Sequence, residues 1–584
     1  MKKKIYKIYT FSVPKVNKTY LNWQNEPNNL FIMTQNMLLQ HRLLVCCFFL
    51  SGLTSLSAQD ILWEKSYGGK QADYLFDVVP TTDYGFLLAG SSLSKKTGNK
   101  TEDSRGDLDY WIWKMDEKGE LDWQKSFGGS GQDKLRSVVL TYEGGFLLGG
   151  SSDSAEGLDK RQSGKGVSDF WIIKLNAKGG EEWQKTIGGL GQDELTVVLK
   201  TKDGGFIVGG SSNSEKSGDK TEDSFGGMDY WVLKLDVRGD LVWQHTFGGN
   251  YNDELRSITL TDEGGYLLGG SSNSTDSGTK IQKNIGQSDY WIVKLDKDGN
   301  EQWQKTIGGK GDDQLYVVRT TADGSCILGG NSNSESGEDK RSSNESGTDF
   351  WVLKIDKEAN ILWQETYNIG KVDVLTSLIE NGDKTILLGG YAKGEAVKRK
   401  APLKKISSLK GKPSSADIEQ KVKAGTDDYV ALKITEKGEE IWRKSVGSQG
   451  QDILKKVAET RDGGYLMAGT SKGKISDNKN SDIGSNDFWV VKLKDKQKPK
   501  ADKKPVEAIP NPATDYTNVI VGYDFNKGTA TLVDLAGHVL QQFEITDRTV
   551  PIDLKGLPDG IYIVNIKTDK QSDGVKIVKG RNKN

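Results

Sequence analysis

Residues 194–246 contain the pattern that decides the fold. They read ELTVVLKT (194–201), a Lys-Asp-Gly-Gly turn, FIVGGSS (206–212), a loop, DYWVLKLD (229–236), a Val-Arg-Gly turn and LVWQHT (241–246). Short runs that are wholly apolar or alternate with polar residues, separated by Asp-Gly and Gly-Gly, are typical of antiparallel strands joined by tight turns. This stretch therefore predicts four strands of one sheet.

The same pattern recurs along most of the chain. Tryptophans fall on a period of 60 residues, with one more after a longer step: Trp63, Trp123, Trp183, Trp243, Trp303, Trp363 and Trp442. A fixed long period is the mark of a repeat architecture. Seven units of four strands predict an all-β protein with a seven-bladed β-propeller over residues 59–495.

The two ends of the repeat region are each one strand short. The first tryptophan strand, 62–66, has no unit of its own, and the last Phe-Trp strand, 487–493, has no tryptophan strand after it. We therefore expect the N-terminal strand to complete the seventh blade, which closes the ring and removes an exposed sheet edge.

Each unit also has a characteristic order of residues. A hydrophobic strand ends in Gly-Gly, a Tyr-Trp strand follows, and a single tryptophan lies on the next strand; in the third unit these are Gly209, Gly210, Tyr230, Trp231 and Trp243. This order resembles the Kelch-type propeller blade, although the landmarks are further apart than in standard Kelch repeats. The resemblance implies the same strand arrangement, not close membership of that family.

Composition limits the possible partners. The 584 residues are too many for one ordinary core, which agrees with a repeat array. Lysine plus arginine (80) nearly cancels aspartate plus glutamate (81), so the sequence does not favour binding to nucleic acid or to a membrane surface. We expect no nucleic-acid partner and no cofactor.

The N-terminal segment 1–58 predicts export. Arg42 precedes an apolar run, 43–56, which ends in Ser-Ala-Gln at 57–59. A basic residue, a short apolar run and small residues predict a secretory signal, cleaved after Ala58. A membrane anchor is the alternative, but the run is shorter than the roughly 20 residues that span a bilayer, and we expect no transmembrane segment in the mature chain. Because residues 1–32 resemble no signal, we expect translation to start at Met33 or Met37.

The C-terminal part has a different character. Residues 496–505 are a lysine-rich linker, and 506–584 contain alternating strands that predict a small β-sandwich. IPNP (509–512), DLAG (534–537), LPDGIY (557–562) and KIVK (576–579) together resemble the type A C-terminal sorting domain of the type IX secretion system, found in Bacteroidota. The residues that carry this resemblance are Pro510, Asn511, Pro512, Gly537, Gly560, Tyr562, Lys576 and Lys579.

This resemblance implies a route and a location. It implies export by the Sec route and passage across the outer membrane by the type IX machinery, which would be a partner of this domain. It also implies later removal of the domain, with release of the protein or attachment to surface lipopolysaccharide. We therefore expect a cell-surface or extracellular protein. The polar extension after Gly580 departs from the family pattern but leaves the last strand intact.

The long loops contain the candidate ligand residues. Lysines recur there at the 60-residue period: Lys100, Lys160, Lys220, Lys280 and Lys340. Long loops on a rigid scaffold often bind ligands, and five cations on one face would select an anionic glycan or an acidic partner. The alternative is a solvated loop whose lysines repeat only because the units are duplicated.

Aspartates in the crossovers between units are the candidate metal ligands. GGSGQDKL (128–135) and its equivalents resemble a calcium-binding nonapeptide, but one copy per 60 residues cannot build a β-roll. A ring of carboxylates that holds a cation would use Asp133, Asp193, Asp253 and Asp313. The alternative, which we favour, is that these side chains accept main-chain N–H bonds at turns.

No catalytic residues are predicted. Only His245 and His538 follow the signal, and no Ser-His-Asp, zinc or P-loop motif is present in the sequence. The sequence therefore favours an exported, non-catalytic binding protein whose ligand is a glycan or a surface protein. A polysaccharide hydrolase or lyase that works through carboxylates, and a scaffold without a small ligand, stay open as alternatives.

Overall fold

A computed structural model describes residues 59–344, 347–394, 427–476, 478–496 and 504–580. The predicted signal and most of the predicted linker lie outside the described residues. Within these ranges every regular element is a β-strand, which confirms the all-β prediction. In the same ranges, no helix has the length and hydrophobicity needed to cross a membrane.

Twenty-eight strands make up the repeated part of the described chain. The first are β1 (Asp60–Tyr67), β2 (Asp73–Pro80), β3 (Phe86–Ser92), β4 (Asp109–Met115) and β5 (Leu121–Phe127). Next come β6 (Asp133–Leu140), β7 (Phe146–Ser152), β8 (Asp169–Leu175), β9 (Glu181–Ile187), β10 (Asp193–Lys200), β11 (Phe206–Ser212), β12 (Asp229–Leu235), β13 (Leu241–Phe247), β14 (Asp253–Leu260), β15 (Tyr266–Ser272), β16 (Asp289–Leu295) and β17 (Glu301–Ile307). The last are β18 (Asp313–Thr320), β19 (Cys326–Ser332), β20 (Asp349–Ile355), β21 (Ile361–Tyr367), β22 (Val372–Glu380), β23 (Ile386–Lys393), β24 (Asp428–Ile434), β25 (Glu440–Val446), β26 (Asp452–Glu459), β27 (Tyr465–Ser471) and β28 (Asp487–Lys494).

These strands form four-stranded antiparallel sheets in chain order, from β2–β5 (sheet 1) to β22–β25 (sheet 6). Sheet 7 has the order β1-β28-β27-β26, so the N-terminal strand supplies its outer edge. Tyr67 of β1 lies opposite Phe488 of β28. This is the pairing that the sequence predicted for the first strand.

The sheets form a closed ring. The first strand of each sheet, here called the inner strand, contacts the inner strand of the next sheet, in the order β2, β6, β10, β14, β18, β22 and β26. Strand β26 in turn contacts β2. Radial four-stranded sheets around a central channel are the arrangement of a β-propeller.

Aromatic residues hold neighbouring sheets together. The hydroxyl of Tyr230 in sheet 3 donates a hydrogen bond to the main-chain carbonyl of Trp291 in sheet 4, with 3.1 Å between donor and acceptor. The two rings pack with their centroids 4.8 Å apart. Tyr110, Tyr290 and Tyr429 make the same bond to the next sheet. The repeated Tyr-Trp pair is therefore a structural element, with each polar group of the tyrosine satisfied in the core.

The C-terminal part contains β29 (Val506–Ile509), β30 (Tyr516–Val521), β31 (Gly528–Val533), β32 (Val539–Ile545), β33 (Thr549–Asp553), β34 (Gly560–Thr568) and β35 (Ser572–Lys579). They form two sheets, β29-β30-β33 and β32-β31-β34-β35. Val519, Ile552, Leu532 and Val564 belong to one buried cluster that both sheets share.

Candidate ligand site in the central channel

The loop lysines do not lie on the surface. Lys100, Lys160, Lys220, Lys280 and Lys340 are each only 1–2 % exposed. The ammonium group of Lys160 donates to the carbonyl of Ser154 at 2.8 Å, and that of Lys340 donates to Ser334 at 2.7 Å. The lysines thus stabilise the long loops to which they belong, because each donates to a carbonyl of its own loop. This corrects the prediction of a cationic ligand face, because a buried ammonium group that donates to main-chain carbonyls is not available to an external ligand.

The candidate metal ligands are also buried. Asp133, Asp193, Asp253 and Asp313 each accept a hydrogen bond from a main-chain N–H of the preceding Gly-Gly pair at 2.7 Å. A serine hydroxyl bonds the same carboxylate, as Ser154 does to Asp133 at 3.0 Å. These are the bonds that the turn interpretation predicted. In the described ranges no three His, Cys, Asp or Glu side chains are grouped to hold a metal ion.

The sorting-motif residues stabilise the C-terminal sheets. The side chain of Asn511 donates to the carbonyl of Lys576 at 2.6 Å and accepts from the N–H of Val578 at 2.9 Å. Its amide group therefore makes the two main-chain hydrogen bonds to β35 that a neighbouring strand would make. The hydroxyl of Tyr562 donates to the carbonyl of Pro558 at 2.6 Å. Gly537 has a φ of +87°, a conformation that favours glycine.

The inner strands contain one position at which the units differ strongly. Each inner strand has an aspartate as its first residue, or as its second in β22; counting from this aspartate, the third residue is leucine in all seven units, and these leucines are buried between sheets. The fourth residue lines the channel instead, as alternation along a strand requires. In chain order it is Phe76, Arg136, Thr196, Arg256, Tyr316, Thr376 and Lys455. Three cations and two aromatic rings thus occupy equivalent places around one channel.

These side chains line a cavity of about 470 Å³. The guanidinium of Arg136 lies over the ring of Phe76, 4.4 Å from its centroid, and the ammonium of Lys455 lies 5.8 Å from the same centroid. Arg256 lies over Tyr316 at 5.6 Å. Cations held over aromatic faces are positioned without being neutralised. The cavity volume is in the range of small-molecule sites.

The cations affect one another's titration. Burial, with the nearby charges of Arg136 and Arg256, lowers the pKa of Lys455 to about 8. Burial also lowers the pKa of Arg136; Glu194 opposes this effect and Arg256 adds to it. The three cations are therefore close enough in the channel to repel one another.

Two of the three cations form no ion pair or hydrogen bond with another described residue. In the part of the chain that the structure describes, no carboxylate or carbonyl oxygen lies within hydrogen-bonding distance of the charged group of Arg136 or of Lys455. Arg256 forms an ion pair with Glu254, but its Nε is buried without an acceptor. Partly buried cations without partners are unfavourable, so this ring is suited to an external anion.

The channel also contains charges that are already compensated. Lys456 forms an ion pair with Asp77 at 2.9 Å, and the same aspartate accepts the N–H of Val138 at 3.0 Å. Glu459 lines the cavity at the other end of β26, four residues after Lys455 and roughly 13 Å further along the strand. The carboxylate of Glu459 therefore lies at a different level of the channel from Lys455.

Comparison with known proteins identifies one part of the chain. Residues 507–580 match the secretion system C-terminal sorting domain. The matched stretch contains all the sorting-motif residues named above, and it indicates a secreted protein, exported to the outer membrane, the cell surface or the medium.

Similarities over the rest of the chain are weak. A stretch of 186 residues is 24% identical to the regulatory protein FlaEY of Caulobacter vibrioides; it covers 30% of this chain and about a fifth of that relative. Among solved structures, the Pan2 WD40 domain of Neurospora crassa aligns with a TM-score of 0.37 and 11% identity over 74% of this chain and 96% of that one. PorZ, a surface component of the type-IX secretion system of Porphyromonas gingivalis, aligns with a TM-score of 0.23 and 9% identity over 90% and 86% of the two chains. At these values neither structure supports an argument about function.

Sequence reasoning missed the cationic ring. A usable signal was present, because the fourth inner-strand position is variable beside a leucine that never changes. In a repeat protein, a position that faces the channel and differs between the units is a candidate for ligand binding.

Proposed function

We propose that this chain is an exported, non-catalytic binding protein that holds a small anionic ligand in the channel of a seven-bladed, Kelch-like propeller. The C-terminal domain directs it through the type IX machinery, and the lysine-rich linker is the region where the domain is removed. We further propose, from the resemblance of the sorting motifs, that its source belongs to the Bacteroidota. The match of residues 507–580 to a sorting domain supports the export part of this proposal.

The binding part depends on one observation. Arg136 and Lys455 both lie over the ring of Phe76, and neither has an acceptor among the described residues. A carboxylate, sulfate or phosphate group would supply the missing acceptors, and charge-assisted hydrogen bonds to such groups are among the stronger ones in proteins. The long-loop face lacks this support for a glycan or protein ligand, because its recurring lysines are buried.

The experiment is a calorimetric titration of residues 59–584 with inorganic sulfate and phosphate. We expect binding that is lost when Arg136→Gln and Lys455→Gln are combined. Lys118→Gln combined with Lys216→Gln, at two exposed lysines that do not line the channel, removes the same charge, is the matched control and should leave the affinity unchanged. Equal affinity of the Gln variant and the unaltered protein would show that the ring is not the site.

The hydrolase alternative is not favoured by the carboxylates. Burial raises the pKa of Asp109 to about 6 and of Asp229 to about 7, as a catalytic acid would require. Both side chains are fully buried, however, whereas a glycosidase carboxylate must touch its substrate. Their raised pKa values reflect packing between sheets.

A further inference from the structure

The channel cavity has two layers of different character. The first is the ring at the fourth inner-strand position, which contains Arg136, Arg256 and Lys455. The second lies three residues further along the strands, where Val79, Val139, Leu199 and Ile379 of sheets 1, 2, 3 and 6 line the same cavity, together with Arg319 of sheet 5. All four apolar side chains are only partly buried, so part of each faces the cavity.

A β-bulge explains why both layers face the channel. In sheet 3 the pairing of β10 with β11 shifts between Leu195 and Val197, and the inner strands of the other sheets shift at the equivalent place. The extra residue changes the alternation, so that the fourth and the seventh residues point to the same side. Along a strand, three residues span roughly 10 Å.

We infer that the channel ligand is an amphiphilic anion. Its carboxylate, sulfate or phosphate head contacts Arg136, Lys455 and Arg256, and its apolar body contacts the layer that includes Val139, Leu199 and Ile379. This inference rests on the proposed function, because it assigns the ligand class of the same site.

The physical argument combines two demands of one cavity. The first layer offers Arg136 and Lys455, which have no acceptor among the described residues and which a purely apolar ligand would leave unpaired. On sheets 1, 2, 3 and 6 the second layer offers half-buried aliphatic surface, which water or a purely inorganic anion would leave without favourable contacts. A molecule with an acidic head and an alkyl body of medium length satisfies both layers at their separation.

The test measures how the affinity of residues 59–584 for alkyl anions depends on the length of the alkyl chain. Binding is measured by calorimetry, with each probe below its micellar concentration. The probes are acetate, hexanoate, octanoate and decanoate, with octyl sulfate and octyl phosphate to identify the preferred head group. We expect the affinity to increase about three- to four-fold for each added methylene until the apolar layer is covered.

Variants separate the two layers. Leu199→Asn should weaken decanoate binding at least ten-fold and leave acetate binding unchanged, whereas Lys455→Gln should weaken both. Leu241→Asn, at a leucine of the outer strand β13 that is 44% exposed, is the matched control. Thermal unfolding of each variant verifies that it is folded. The dependence of affinity on alkyl-chain length is measured on the unaltered protein, so it can be tested even if a variant does not fold.

The outcomes distinguish this inference from the proposed function. If inorganic sulfate binds through Arg136 and Lys455 but affinity is independent of the length of the alkyl chain, the proposed function is supported and the inference of an amphiphilic ligand is wrong. If neither inorganic nor alkyl anions bind the folded protein, both are wrong. Length-dependent binding that survives Lys455→Gln would contradict the placement of the head group.

Discussion

Glu64 accepts a hydrogen bond from the indole N–H of Trp489 at 2.7 Å, although the two residues are 425 positions apart. In other sheets a glutamine of the outer strand accepts this bond, as Gln124 does from Trp111 at 3.1 Å. The other carboxylate oxygen of Glu64 accepts the N–H of Asn480 at 2.9 Å. The strand that closes the ring therefore reproduces the contact that fixes the outer strand elsewhere.

Replacing this carboxylate should weaken ring closure. Glu64→Ala leaves the buried N–H of Trp489 without an acceptor, and we expect a loss of about 1–3 kcal/mol in the free energy of unfolding. Denaturant unfolding measures it. Glu64→Gln restores the residue that other sheets use and should behave like the unaltered protein. An Ala variant of full stability would show that the bond contributes nothing to closure.

The recurring loop lysines should matter for stability and not for binding. Lys160→Ala removes a buried ammonium group near Asp133 and Asp169, and losing one partner of a buried charge network typically costs roughly 3–5 kcal/mol. Denaturant unfolding tests this, with Lys216→Ala at an exposed lysine of the next unit's loop as the control. If Lys160→Ala reduced anion affinity while stability was unchanged, the loop face and not the channel would be the ligand site.

Anion binding should weaken as the pH rises through about 8. Burial and the neighbouring arginines lower the pKa of Lys455 to about 8, and a bound anion favours the protonated form. Affinity should therefore be greatest below pH 8 and fall by pH 9. Titrations across this range measure the effect. Lys455→Arg keeps the charge at both pH values and should remove the dependence; if the dependence persists, another group is responsible.

The buried aspartates should make the fold less stable as the pH rises from about 4 to 7. Burial, together with Asp253, raises the pKa of Asp229 to about 7, so the folded state retains a proton that the unfolded chain has already released. Each retained proton decreases the free energy of unfolding by about 1.4 kcal/mol per pH unit in this interval. Asp229→Asn should make the dependence less steep, as measured by urea unfolding at several pH values. An unchanged slope would mean that Asp229 ionises normally.

Export should depend on the C-terminal domain. Deletion of residues 507–580 from the protein in its native host should leave it in the periplasm, detected by fractionation and immunoblotting. Deletion of 581–584, beyond the matched stretch, is the control and should not alter export. Normal secretion of the shorter protein would refute the assignment.

Local patterns in the sequence were sufficient for the fold class and for the sorting domain. Alternation, Gly-Gly turns and the tryptophan period depend only on neighbours along a strand, so a unit such as 194–246 could be interpreted as four strands by itself. The pairing of β1 with β28 followed from counting incomplete units. The sorting motifs are contiguous, and the match of 507–580 covers them.

The position of each charge was decided by the tertiary structure. Lys160 is buried because the carbonyl of Ser154 and two carboxylates surround its ammonium group, an environment that its polar loop sequence does not reveal. The three cations at the fourth inner-strand position belong to sheets 2, 4 and 7, and only closure of the ring brings Arg136 and Lys455 over one phenyl ring. Sequence by itself determined which residues form strands, because that depends on local patterning. Which charges are neutralised and which are left for a ligand depends on distances between residues of different sheets, and the tertiary structure alone sets those distances.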